Sequence, residues 1–316
     1  MYDPTKPYKK QILEAIQQTW DTKYVNVRKN IYPTIEKKFS YPEVDHTDGI
    51  GTKGIFHWKK RTFRNACLDA LAMNLNDLAL IRAIPYKLQN HIILPEDDKE
   101  AILELIRVLS EECKKRDIAI TGGETSIHDN IVGMEISLTV SGFIKNLKPN
   151  RFQVGEVLIG MESNGLHSNG FTLVRKTLGK EIENYIDELV KPTLIYSDLI
   201  LKLSESFKIG GMMHITGGAF TKLKDLLFKA DAIITREHAL DPQKIFKELY
   251  NRGIKDEQMY KTFNCGVGFV FSIAKEYAEE VLSQIKDFKA DVIGKVTKGE
   301  GKVKVESKFS DVEVVY

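Results

Sequence analysis

Ile12, Ile16 and Trp20 recur every fourth residue in an otherwise polar stretch, and the spacing predicts an amphipathic helix over Lys9 to Trp20. Asn65 to Ile81 predicts a second helix, apolar nearly all round and therefore buried. Asp97 to Arg116 predicts a third, with Ile102, Leu105, Ile106, Leu109 and Cys113 on one face and Asp97 and Asp98 in its first turn. Ile118 to Thr121 reads as a short apolar strand running into Gly122-Gly123. From Met134 to Val140 the pattern switches to strict alternation, with Met134, Ile136, Leu138 and Val140 inward and Glu135, Ser137 and Thr139 outward. That is a half-buried strand of an antiparallel or mixed sheet.

The polar, aperiodic segment Lys145 to Gly155 holds Pro149 and marks a domain boundary. Beyond it the grammar repeats. Strands are expected at Val157 to Met161, Ala232 to Thr235, Gly268 to Ile273 and from Val292 onward. Helices are expected from the end of a 163–170 loop through Lys176, at Leu194 to Ser206, Phe220 to Phe228, Pro242 to Arg252 (closed by Gly253) and Lys275 to Asp287. The pattern reads as an α/β (α+β) protein of two domains, residues 1–147 and 148–316, with mixed sheets covered by helices.

Composition narrows the function. Of 316 residues, 42% are hydrophobic and 28% charged, which suits a globular chain with a real core. Lys plus Arg total 46 against 44 for Asp plus Glu, so there is no basic field for nucleic acid or a membrane surface. No apolar run approaches the ~20 residues that span a bilayer. Cys67, Cys113 and Cys265 are odd in number and far apart, fitting neither a disulfide framework nor a zinc motif. They read as reduced thiols of a cytoplasmic protein.

Candidate chemistry gathers in four glycine-bearing segments: Asp48 to Lys53, Thr121 to Thr125, Ser163 to Gly170 and His214 to Gly218. Glycine lets a ligand approach backbone N–H groups, and a helix starting just afterwards turns its positive end toward an anion. Three of the four are expected between a strand and a helix, and together they point to a phosphorylated ligand. In the first, Gly49, Gly51 and Thr52 offer a flexible polar turn, Asp48 a carboxylate for magnesium and Lys53 a cation for phosphate. The same segment also reads as a polar hairpin with a surface lysine. Asn76 and Asp77 interrupt an apolar helix, where a carboxylate needs a partner or a metal unless it lies on a polar face. Glu124, after Gly122 and Gly123, suits either a metal or a helix cap. His167, Ser168 and Asn169 supply dense donors, and His214 precedes Thr216, Gly217 and Gly218. Either histidine can move a proton near neutral pH, and either also fits a structural role.

Taken in order, these residues resemble the aminoimidazole ribonucleotide synthetase (phosphoribosylformylglycinamidine cyclo-ligase) family. The resemblance runs through TDGIGTK at Thr47 to Lys53, NDLAL at Asn76 to Leu80, GGET at Gly122 to Thr125 and LIGMESNGLHSNGFTLVRK at Leu158 to Lys176. It continues through KPTLIY at Lys191 to Tyr196, HITGGAF at His214 to Phe220 and MYKTFNCGVGFVF at Met259 to Phe271. It implies a homodimer of two-domain subunits and ATP-dependent, magnesium-dependent ring closure of formylglycinamidine ribonucleotide in purine biosynthesis. By matching position it assigns Asp48, Asp77 and Glu124 to magnesium and ATP. Gly49, Gly51, Thr52, Asn76, Gly122 and Gly123 fall to the nucleotide, and Lys53 to phosphate charge. His167, Ser168, Asn169, His214, Thr216, Gly217 and Gly218 fall to the substrate, with His167 and His214 as candidate proton carriers.

The first 44 residues depart from that family, with no glycine before Gly49, and GGETAEMPG becomes GGETSIHDN. The departures leave two alternatives beside the cyclo-ligase. One is an ATP-dependent enzyme for another amide, and the other is a ligand-binding subunit without turnover.

Overall fold

The computed structural model describes residues 6–316, which fall into two compact units divided between Leu147 and Lys148.

In the first unit, β1 (Val25–Arg28) and β2 (Thr34–Lys37) form an antiparallel hairpin. The main sheet has four strands, β3 (Glu43–Gly49), β4 (Ile84–Leu94), β5 (Ala119–Ile127) and β6 (Glu135–Phe143), in the order β3-β6-β4-β5. It is mixed: β4 and β5 run parallel and the other pairs antiparallel. Four helices accompany it, α1 (Lys9–Gln17), α2 (Gly54–Lys60), α3 (Phe63–Leu80) and α4 (Lys99–Lys115). The alternation in β6 is the expected one, with Ile136, Leu138 and Val140 fully buried while Ser137 and Thr139 stay partly exposed. α4 starts where its acidic first turn predicts, because Asp98 Oδ1 accepts from the Ala101 N–H at 2.9 Å. α1 ends three residues early. Trp20 lies past its end, buried, with its indole N–H donating to the Ile120 carbonyl at 2.8 Å.

The second unit is built on a seven-stranded sheet. Its strands are β7 (Glu156–Glu162), β8 (Met212–His214), β9 (Ala230–Ile234), β10 (Val267–Ala274), β11 (Ala290–Lys298), β12 (Val303–Glu306) and β13 (Glu313–Val315). Their order is β13-β12-β9-β11-β7-β10-β8, with β12 parallel to β9 and the rest antiparallel. The helices are α5 (Phe171–Leu178), α6 (Ile186–Leu189), α7 (Ser197–Ser206), α8 (Lys244–Asn251), α9 (Asp256–Thr262) and α10 (Ala278–Gln284). β10 is buried along nearly its whole length, as a central strand flanked by β7 and β8 must be. Both units are therefore mixed sheets with helices, the expected fold class.

Two expected helices differ. α7 begins at Ser197 rather than Leu194, with Lys191, Pro192 and Thr193 outside any helix. The segment after Gly217-Gly218 is a 3-10 helix, Ala219–Leu226, rather than an α-helix.

Candidate functional site

The sequence places nucleotide chemistry in the first unit. β3 carries Asp48 to the sheet's end, and Gly51 and Thr52 form an exposed turn just after it. The carboxylate Oδ1 of Asp48 accepts from the Gly49 N–H at 2.7 Å. Asn74 on α3 fixes the strand from below: its Nδ2 donates to the Asp48 carbonyl at 3.0 Å and to the Ala70 carbonyl at 2.9 Å. Its Oδ1 meets His46 Nδ1 at 3.0 Å, and His46 Nε2 reaches Asp77 Oδ2 at 3.5 Å. The hydrogen bond to Asp77 raises the His46 pKa against the cost of its partial burial. Asp77 thus pairs with His46, two residues before Asp48 in β3.

Lys53 requires a correction. It is 1% exposed, and its ammonium lies 2.8 Å from Asp69 Oδ1. His57 Nε2 meets the other oxygen of Asp69 at 2.8 Å, and His57 Nδ1 contacts Thr62 Oγ1 at 2.8 Å. A buried carboxylate needs such partners. Burial alone would push Asp69 up, but Lys53 and His57 outweigh it and hold the carboxyl down at about 2. Lys53 therefore anchors the turn from beneath instead of facing phosphate, and Asp69 was missed because nothing in its local sequence announces its partner.

Gly122, Gly123 and Glu124 require another. β5 does not stop at Thr121 but runs through all three to Ile127, and no helix follows. The parallel partner β4 holds it extended, pairing Gly122 with Gln89 and Glu124 with His91. Two strands separate β5 from β3, about 14 Å of sheet at the usual strand spacing. Glu124 shares a hollow of about 500 Å³ with Thr47, His91, Ser137 and Thr139. Asp48 follows Thr47 in β3 and so points to the opposite face. Among the described residues no group of three His, Cys, Asp or Glu converges as a metal site. The expected cage of Asp48, Asp77 and Glu124 is therefore not formed within the chain.

The same glycines border a larger hollow of about 650 Å³. Its walls include Ile12, Ile16, Tyr32, Ile106, Asn90 and Thr121. Thr121 Oγ1 is buried without a hydrogen-bond partner. The size and mixed lining suit a small molecule. Asn76 is fully buried on α3.

In the second unit the structure brings two of the motifs together. Ser163 to Gly170 follows β7, and His214 closes β8 with Ile215 to Gly218 just beyond it. His167 and His214 are both fully buried with ring centroids 5.4 Å apart, in an aromatic cluster with Tyr196 and Phe269. His167 Nδ1 lies 3.2 Å from the Ile215 carbonyl oxygen. A carbonyl only accepts, so Nδ1 carries a proton, and Nε2 is the ring nitrogen at which a second proton would bind. His167 adopts φ 59°, sparsely populated for a side chain of its size, and Gly170 adopts φ 76° at the N-cap of α5. Ser168 Oγ and Asn169 Nδ2 are buried and have no hydrogen-bond partner. A Cβ on Gly217 would lie 2.9 Å from Asn169 Oδ1, so this is where the two turns touch.

Residues outside the expected set hold this arrangement. Asn264 accepts from Ser163 Oγ at 2.7 Å and from the Gly266 N–H at 3.0 Å, and donates to the Gly165 carbonyl at 2.7 Å. Gln243 donates to the Ser163 carbonyl at 2.5 Å. Tyr196 donates to the Glu162 carbonyl at 2.7 Å. Asn264 and Tyr196 fall inside the FNCGVG and KPTLIY motifs, which was the available signal.

Comparison with known proteins agrees with this anatomy. The model of the AIR synthase related protein N-terminal domain matches residues 40–144, and that of its C-terminal domain matches residues 153–306. A phosphoribosylformylglycinamidine cyclo-ligase of Saccharolobus solfataricus is 36% identical over 262 residues, covering 81% of this chain and 79% of the relative. One of Clostridium perfringens is 35% identical over 274 residues, 81% of each chain. The solved structure of hydrogenase maturation protein HypE in complex with ATP superposes with a TM-score of 0.68 at 18% identity, over 97% of this chain and 93% of that one. That likeness concerns the fold alone. The chain belongs to the AIR synthase-related family, whose two domain models match one within each compact unit.

Proposed function

We propose that this chain is an ATP-dependent cyclo-ligase that closes formylglycinamidine ribonucleotide to aminoimidazole ribonucleotide, a step of purine biosynthesis. The terminal phosphoryl group of ATP passes to the amide oxygen, releasing ADP. An internal nitrogen then attacks the activated carbon, the C–O bond breaks, phosphate departs and the nitrogen gives up a proton. Such chemistry rests on positioning and charge neutralisation.

In this reading residues 1–147 take the nucleotide and 148–316 the ribonucleotide. Gly51 and Thr52 offer the exposed turn for phosphates, with Gly49 before it at the end of β3 and Asn76 and Lys53 supporting it from within. The hollow beside Gly122 and Gly123 offers an apolar wall for a base. Magnesium arrives with the nucleotide, which needs only one or two carboxylates from the protein. Asp48 is the residue assigned to it, since Asp77 pairs with His46 and Glu124 lies on the other sheet face. Ser168, Asn169, Thr216, Gly217 and Gly218 bind the ribonucleotide. His167, through Nε2, accepts the proton from the attacking nitrogen, with His214 beside it.

The observation that carries the reading is the meeting of the Ser163–Gly170 and His214–Gly218 turns, where buried donors on Ser168 and Asn169 await a partner. The test is incubation of purified protein with formylglycinamidine ribonucleotide, ATP and magnesium. ADP and the imidazole product in equal amounts support it; ribonucleotide binding without product sinks it. A second reading, an enzyme for another amide, is favoured by one fact. The family match begins at residue 40, whereas Ile12, Ile16 and Tyr32, which wall the larger hollow, precede it.

The same reading makes the protein a cytoplasmic homodimer. Among the described residues no helix is long and apolar enough to cross a membrane. The four-stranded sheet leaves Thr47, Gln89 and His91 exposed on one face, a surface available to a second copy. Sedimentation showing only monomer at micromolar concentration would remove the dimer.

A further inference from the structure

Lys222 stands in the 3-10 helix Ala219–Leu226, with its stem over the preceding turn. A Cβ on Gly218 would lie 3.4 Å from Lys222 Cγ and 3.9 Å from its Cε. The ammonium donates to Thr216 Oγ1 at 3.2 Å. Among the described residues no carboxylate comes within ion-pair distance of Lys222. Half-buried ammonium groups are costly without a counter-charge, so the turn is electropositive at rest. Lys191, whose stem lies beside Gly165, is by contrast paired with Glu188 at 2.9 Å.

The same three-residue turn, Thr216-Gly217-Gly218, touches Asn169. Asn169 Nδ2 and Ser168 Oγ are buried donors with no partner, while Asn264 and Tyr196, which hold the earlier part of the same segment at Glu162, Ser163 and Gly165, are hydrogen-bonded. Buried donors left open call for an acceptor from outside. The acceptor must carry charge, because the turn holds an unpaired cation. It must also offer oxygens in several directions, because the donors arise from separate elements. A tetrahedral phosphate monoester meets both needs, and a lysine serves it as a point charge.

We propose that Lys222 is a phosphate-binding, specificity-determining residue that works with Ser168 and Asn169 to take the monoester of a sugar phosphate. The proposal rests on residues 148–316 being the ribonucleotide-binding part of the chain. It adds the cation that part requires and a preference for phosphorylated over unphosphorylated ligand.

Calorimetric titration of the full chain with ribose 5-phosphate and with ribose tests it. Wild type is expected to bind ribose 5-phosphate and to ignore ribose. Lys222→Met should lose about 10- to 100-fold in affinity for ribose 5-phosphate, the range for losing one charge-assisted hydrogen bond. Lys222→Arg should stay within about threefold, since the charge remains. ATP affinity should be unchanged in both. Equal binding of ribose 5-phosphate by wild type and Lys222→Met overturns the proposal, as does failure of wild type to bind it. Absence of imidazole product with ribose 5-phosphate binding intact would instead remove the cyclo-ligase reading and leave Lys222 in its role.

Discussion

Lys53 Nζ lies 2.8 Å from a carboxylate oxygen of Asp69, and neither side chain is more than 1% exposed. Removing one partner strands the other charge in the core. Asp69→Asn should therefore cost about 3–5 kcal/mol of stability, measured by urea unfolding. A double change, Lys53→Met with Asp69→Leu, should recover much of that loss, because no lone charge remains. A double variant as unstable as Asp69→Asn would show that packing, not charge, governs this site.

Acid stability follows from two groups of opposite kind. Asp69 is held at about 2, against 3.8 for an ordinary aspartate, so its contribution is present above 3.8 and lost as pH falls toward 2. His238 is pressed down to about 4 from 6.5, chiefly by burial. Between those values the unfolded chain binds a proton that the folded chain refuses, so stability falls as pH drops from 6.5 to 4. Thermal midpoints across that window should slope downward on acidification, and His238→Asn should flatten the slope. His46 works the other way: its raised pKa adds stability below 6.5 that disappears as pH climbs through the folded value.

Gly268 has no room for a side chain. A Cβ there would lie 1.9 Å from Tyr196 Oη and 3.0 Å from His167 Cε1. Gly268→Ala should displace Tyr196 from the Glu162 carbonyl and cost about 1–3 kcal/mol. Because the displaced ring packs on His167 and His214, ribonucleotide affinity should fall while ATP affinity holds. Unchanged ribonucleotide affinity would detach the aromatic cluster from ligand binding.

Asp48→Asn separates charge from structure. An asparagine Oδ1 still accepts from the Gly49 N–H, so stability should stay within about 1 kcal/mol. Magnesium-dependent nucleotide binding should weaken strongly, as seen by titration with a non-hydrolysable ATP analogue. His214→Ala should weaken ribonucleotide binding more than ATP binding; the reverse order would exchange the roles of the two units.

The chain's legibility varied with how local each feature is. Ser168, Asn169 and Gly217 could be read because donors and glycines stand next to one another in sequence, and the fold needs only to bring two such turns together. Asp69 and His46 could not, since each acquires meaning from a residue far along the chain. β5 shows the limit for backbone: two glycines after an apolar run signal a turn, yet pairing with β4 along its length keeps the strand extended. Glu124 therefore lies within a strand, paired with His91, instead of at a helix start. The helices were legible to within a few residues because amphipathic periodicity is strong in α4 and apolar character is continuous in α3.

Trp20, sealed by its bond to the Ile120 carbonyl, gives the protein a built-in optical label. The chain has 2 tryptophans, Trp20 and Trp58, and both lie within Met1–Leu147. Tryptophan emission therefore follows the melting of that half alone, while circular dichroism sums over both halves. A difference between the two signals during denaturation would reveal the halves coming apart in sequence, without a single added probe.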